Sequence, residues 1–133
     1  YMPATLEAFL AGPDIEAREA ALPSYVPYLG GSRYSLERLT ASFTGVGLQT
    51  TREDLLLAMV RGNLRYLGEH LEQVSQLVPV NRTVGISGGA ARIGGMLAAR
   101  GRWTGDFEYR FADQSSMLGA AMLGRIHQAG GLS

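Results

Sequence analysis

The run Thr83-Val84-Gly85-Ile86-Ser87-Gly88-Gly89-Ala90-Ala91-Arg92 constrains the fold of this chain more than any other stretch. A short β-prone segment holding Val84 and Ile86 ends in two adjacent glycines, and small, helix-permissive residues follow. The pattern predicts a strand, a tight turn and the start of a helix. Glycine has no Cβ, so another molecule can lie flat against the backbone of such a turn. A helix N-terminus behind it offers unpaired N–H groups and a partial positive charge, the features that seat a nucleotide. Taken alone, the pair reads equally well as a plain α/β turn.

The remaining composition removes several chemistries. The 133 residues correspond to one domain or part of one, and 46% hydrophobic content is enough for a core. Acids and bases balance at 12 each, which argues against a nucleic-acid partner. All 12 basic residues are Arg, so a Schiff-base or P-loop lysine is excluded within this chain. There is no Cys, which excludes thiol nucleophiles, disulfides and thiolate-bound zinc. His70 and His127 are far apart, without ligand-spaced neighbours, so no metal site is expected. No apolar run approaches the roughly 18–20 residues of a membrane span, and the start has no signal-peptide core. A cytoplasmic protein is expected. The first residue is Tyr1 rather than Met, as in a piece cut from something longer or a chain carrying a tag remnant.

Residues 5–11 look helical and stop at Gly12-Pro13, and Asp14 is placed to cap a second short helix that Pro23 closes. Strands are expected near 25–29, at best as an edge because of Pro27, and near 42–46. Thr51 then opens the strongest helix, with Glu53 and Asp54 in its first turn. Leu56, Met59, Leu67, Leu71, Val74 and Val78 recur at helical spacing for about 26 residues, as far as Val78-Pro79. Gly62 and Asn63 interrupt the middle, where close packing or a ligand would use the space. After the strand at 83–87 a helix is expected over 90–100, its first turn weakened by Gly94-Gly95. A strand over 107–111 and a final helix over 115–128, capped by Asp113 or Ser115 and ended by Gly130-Gly131, complete an α/β layer.

This order of elements resembles the C-terminal domain of the FGGY carbohydrate kinases, which carry the actin-like ATPase fold. Ala41-Ser42-Phe43-Thr44-Gly45-Val46 followed by Asp54-Leu55-Leu56-Leu57-Ala58-Met59-Val60-Arg61 is similar to that family's second signature, with Arg61 where an acid or amide is usual. Ser87-Gly88-Gly89-Ala90 resembles its adenosine motif. Residues 113–124 resemble its last helix, and Tyr25 to Arg33 its Pro-Tyr-Leu loop, with Ser32 in place of the usual Glu. The resemblance implies a partial actin-like (ribonuclease H-like) α/β domain, rich in helix, with one small sheet holding the four strands. Residues 1–133 would be the nucleotide-binding lobe of a larger, ATP- and Mg²⁺-dependent sugar or polyol kinase. The two phosphate loops and the catalytic Asp of that family have no counterpart here, nor does the domain that holds most of the sugar site. No catalytic residue is therefore expected in this chain.

On the same resemblance Ser87, Gly88, Gly89 and Ala90 would line the adenosine pocket. Ile93 takes the place of a polar adenine contact, and Gln49 lies on the loop that skirts the base. Arg92 reads as a solvated first-turn charge rather than a phosphate ligand, and Arg33 as a cleft residue or a surface one. His70 reads as a packed or exposed helix residue, and Glu53 and Asp54 as servants of the helix dipole. A homo-oligomer is expected, with no nucleic acid and no membrane partner. Two rival readings remain. One is a non-catalytic actin-like interaction or dimerisation module, suggested by Arg61 and Ile93. The other is a dinucleotide site using Gly85, Gly88 and Gly89, which lacks the acid required at the end of a second strand, since Glu108 falls inside one.

Overall fold

The computed structural model describes residues 1–28, 36–112 and 115–128. Leu29 to Arg33, Asp113 and Gly130-Gly131, which carried expectations above, lie outside them. The chain begins with α1 (Met2–Ala11) and α2 (Ile15–Ala21). Asp14 occupies the cap position of α2, but its backbone is left-handed (φ 53°) and its side chain makes no cap bond, contrary to expectation. β1 (Ser24–Val26) and β2 (Ser42–Thr44) follow, then α3 (Arg52–Leu77), β3 (Thr83–Ile86), α4 (Met96–Trp103), β4 (Glu108–Phe111) and α5 (Ser115–Gln128).

Local chemistry sets the limits of α3. The Thr51 Oγ1 accepts the Asp54 N–H at 3.1 Å while the Asp54 carboxylate accepts the Thr51 N–H at 2.9 Å, a reciprocal capping box. At the other end Val78 precedes a proline, is pushed to extended geometry (φ −142°, ψ 149°) and ends the helix. Gly62 does not break α3. It lets β1 pass so closely that a Cβ there would stand 2.5 Å from the Tyr25 carbonyl oxygen.

The four strands do not form one sheet. β1 and β2 pair antiparallel, with Tyr25 opposite Phe43 and their rings 4.8 Å apart. β3 and β4 pair parallel, with Val84 opposite Tyr109 and Ile86 opposite Phe111. These are two separate two-stranded sheets, because β1 docks on α3 whereas β4 docks on α4.

The core lies among the helices. Leu6 and Phe9 of α1, Leu22, Leu57 and Leu64 of α3, and Met96, Ala99 and Trp103 of α4 form one buried cluster. The rings of Phe9 and Trp103 lie 6.2 Å apart. The buried face of α3 is Leu57, Ala58, Arg61, Leu64 and Gly68. Of the stripe expected from apolar spacing, Leu56, Met59 and Leu71 are half-buried, whereas Leu67 is 36% exposed, Val74 46% and Val78 51%. Gly68 and Arg61 take the inward face because a residue without a side chain, and one whose charge finds carbonyls, permit closer approach than Leu.

Charged groups tie three helices together around Glu19. Its carboxylate accepts Arg65 Nη2 at 2.8 Å and Arg102 Nε at 2.7 Å. Burial pushes the Glu19 carboxyl up, but the nearby Trp103 indole N–H and the Arg102 and Arg65 guanidiniums outweigh it and hold the group below its ordinary value. A depressed carboxylate contributes stability above its ordinary pKa, and that contribution is lost as pH falls through the folded value. Glu19→Gln is therefore expected to lower the melting temperature at neutral pH, and the gap to the unsubstituted protein should narrow below about pH 4. Thermal melts by circular dichroism across this range check it. A gap that does not change with pH would remove Glu19 from the acid response.

Candidate functional site

The parallel pair places both strand ends at one edge, with Ile86 beside Phe111 and the Ala112 N–H donating to the Ile86 carbonyl at 2.8 Å. The carboxyl end of parallel strands is where α/β sheets hold ligands. Ser87, Gly88, Gly89 and Ala90 leave β3 at this edge as one continuous exposed turn. Gly88 has φ 90°, a conformation that L side chains rarely adopt, so the turn itself requires that glycine.

Gly89 is different. Its φ is not positive, and a Cβ there would meet nothing within 4 Å. Neither backbone conformation nor packing within the described residues demands a glycine at this position.

The helix expected over 90–100 does not start behind the glycines. Residues Gly89–Arg92 form a single 3₁₀ turn, in which the Ala91 N–H donates to the Gly88 carbonyl at 3.2 Å. Gly95 is left-handed (φ 74°) and α4 begins only at Met96. Gly94-Gly95 separates the two segments, because glycine costs about 1 kcal/mol relative to Ala inside a helix and favours the turn. Ile93 is half-buried and packs against the core cluster, which turns it away from the open turn. Gln49 is exposed on a different loop, between β2 and α3, with its amide beside Gly47. Ser87 to Ala90 are thus brought together by their own contiguity, and Ile93 and Gln49 are not part of that turn. Arg92 is exposed, its guanidinium 5.5 Å from the centre of the Phe111 ring.

Other clusters are structural. Arg61 is 6% exposed and donates to the carbonyls of Glu19 (2.5 Å), Leu22 (3.2 Å) and Pro23 (2.9 Å). Sequence reading treated it only as a departure from a signature. Its spacing from Leu57 and Leu64 was the signal that it faces inward. A groove of about 660 Å³ between α1, α2 and the start of α3 is lined by Phe9, Arg18, Glu53 and Leu57. There the Tyr1 hydroxyl donates to Glu53 at 2.5 Å and Arg52 assists, which lowers the Glu53 carboxyl to about 2 and leaves it a poor proton acceptor. His70 sits on α3 with Nδ1 2.7 Å from the Tyr66 carbonyl oxygen and its ring against the Tyr66 ring. Among the described residues no group of three or more His, Asp or Glu is placed to hold a metal ion. Among them also, no helix is long and apolar enough to cross a membrane.

No protein-family model matches the chain. No curated protein matches it in sequence. Solved structures do match it in fold. One is a xylulose kinase from Rhodospirillum rubrum, 18% identical, with a TM-score of 0.70 over 96% of this chain. Another is a xylulose ("xyloylose") kinase from Brucella ovis, 22% identical, with a TM-score of 0.77 over 97% of this chain. The chain spans 28% and 26% of those two proteins, little more than a quarter of their length. At these identities the likeness is one of fold, and it agrees with the resemblance carried by the motifs.

Proposed function

We propose that residues 1–133 are the C-terminal, adenosine-facing lobe of an ATP-dependent sugar or polyol kinase of the FGGY type. The observation that carries this reading is Gly89. It is a glycine that the turn does not need, at the carboxyl edge of a parallel strand pair, in a chain with a kinase-type fold. A nucleotide lying against the backbone is a use for that open space. Ser87, Gly88, Gly89 and Ala90 would hold the adenosine and its first phosphate. Gln49 would approach from the other loop. Ile93 would support the turn from beneath without a polar contact. Mg²⁺ would arrive with the phosphates, and among the described residues no group of three or more His, Asp or Glu is placed to hold it.

In the complete enzyme, the sugar hydroxyl would be held in line with the γ-phosphate and deprotonated by an Asp supplied from outside this chain. Such an enzyme would work in the cytoplasm, and the lobe by itself would not transfer phosphate. The rival reading, a non-catalytic interaction module, loses one of its two supports, because Arg61 has a structural task.

Gly89→Val provides the test. The variant should keep the melting temperature, since nothing lies within 4 Å of the new side chain. ATP affinity should fall about 10-fold or more, which is about 1.4 kcal/mol. Titration calorimetry reads the affinity, and a coupled assay should show no sugar-dependent ADP release from the chain alone. A folded variant with unchanged ATP affinity would exclude the site.

A further inference from the structure

The groove between α1, α2 and the start of α3 has a floor that belongs to the core and walls that do not close over it. Phe9 and Leu57, each 4% exposed, form the floor. Ala4, Ala8 and Ala21 form the walls and stay exposed, since a methyl group is too short to fill the space. The volume of about 660 Å³ lies within the roughly 300–1,000 Å³ of small-molecule sites.

The polar side chains that line this groove are matched within the chain, with one exception. The Thr5 hydroxyl donates to the Tyr1 carbonyl at 3.1 Å. The Glu53 carboxylate accepts the Tyr1 hydroxyl, and Arg52 Nε at 3.0 Å. The Asp54 carboxylate accepts the Thr51 N–H at 2.9 Å and the Thr51 hydroxyl at 2.8 Å. Arg18 is the exception. A guanidinium carries several N–H donors in a fixed fork, and that of Arg18 makes one hydrogen bond, to the Phe9 carbonyl at 3.0 Å. Among the described residues no carboxylate pairs with it. It is nevertheless held in place. Its central carbon lies 4.6 Å from the centre of the Phe9 ring, and it crosses Gly12 where a Cβ would overlap it.

We propose that this groove binds a small organic carboxylate with an apolar body. The carboxylate takes free N–H groups of the Arg18 fork, whose planar geometry suits it. The apolar body covers Phe9 and Leu57 between the three alanines. Charge selects this occupant. A neutral apolar molecule would cover the cation without a counter-charge, which costs desolvation, and an amine would be repelled by it. The site uses no residue of the turn from Ser87 to Ala90, so it stands or falls independently of the nucleotide reading.

The test is an NMR titration of the whole ¹⁵N-labelled chain with hexanoate and, separately, with hexanol, at constant pH and ionic strength. Hexanoate should give saturable shifts confined to α1, α2 and the first turns of α3. Hexanol should bind about 10-fold more weakly, because it forgoes the charge-assisted pair. Arg18→Gln keeps a donor for the Phe9 carbonyl and removes the charge, so hexanoate should fall to the level of hexanol. Ala8→Leu keeps Arg18 and fills the groove. It should lose both ligands while its circular dichroism stays that of the parent. Absence of saturable shifts in the parent chain would overturn the proposal. So would equal affinity for the two probes, or a folded Arg18→Gln chain that still prefers hexanoate. Unchanged binding by Ala8→Leu, or shifts centred on the exposed apolar residues of α5, would place the contact elsewhere and overturn it as well.

Discussion

Arg61→Ala is expected to cost about 3 kcal/mol or more of stability, lowering the melting temperature by roughly 10 °C. The guanidinium reaches from α3 to three carbonyls around the end of α2, those of Glu19, Leu22 and Pro23. Hydrogen bonds from a charged donor are worth about 1.5–3 kcal/mol each, and a buried carbonyl left without a donor costs about 1–3 kcal/mol. Burial pushes the Arg61 pKa down, and the positive charge of Arg65 adds to the effect, yet it stays protonated at any working pH. Arg61→Lys should restore only part of the loss, because a compact ammonium cannot fork between α2 and the chain after it. Urea or thermal unfolding measures both variants. An alanine variant as stable as the parent would mean that water replaces the guanidinium without cost.

Gly68→Ala should destabilise by a similar amount, about 3 kcal/mol, although alanine is the better helix former by about 1 kcal/mol. A Cβ at Gly68 would lie 2.7 Å from the carbonyl carbon of Thr104 and closer still to its oxygen. That backbone cannot yield easily. Thr104 is 2% exposed, its N–H donates to the Arg100 carbonyl at 3.0 Å, and its hydroxyl donates to the same oxygen at 2.6 Å. The contact between α3 and α4 would have to open. Gly101→Ala is the control. It is the same change in α4, with nothing within 4 Å of the new methyl, and it should stabilise by about 1 kcal/mol. Opposite signs for the two variants in one unfolding experiment are the expected result. Equal signs would mean that helix propensity outweighs the contact with Thr104.

These two residues show where sequence reading reached and where it stopped. The ends of α3 were legible because their causes are local. A threonine with an acid three residues on closes a capping box, and a residue before proline leaves the helix. The strands at 83–86 and 108–111 and the glycine turn between β3 and α4 were legible for the same reason, since alternation and glycine act within a few residues. So was the resemblance to carbohydrate kinases, which rests on motifs at turns and helix starts. Within the candidate site, the open turn from Ser87 to Ala90 belongs to this local class.

The inward face of α3 belongs to the other class. Apolar spacing pointed to Leu67, Val74 and Val78, whereas the buried face holds Arg61 and Gly68. That choice depends on the carbonyls of residues some 40 positions away in sequence and on the close passage of Thr104. No window along the helix contains this information. The same applies to the division of four strands into two pairs, which follows from which helix each strand meets, and to Ile93, which packs against the core cluster. The sequence alone determined the kinds of element and the limits of α3, because hydrogen bonds within a turn or two of chain decide them, although not the late start of α4 at Met96. Which faces meet was decided only in the tertiary structure, because close packing joins residues that the chain keeps far apart.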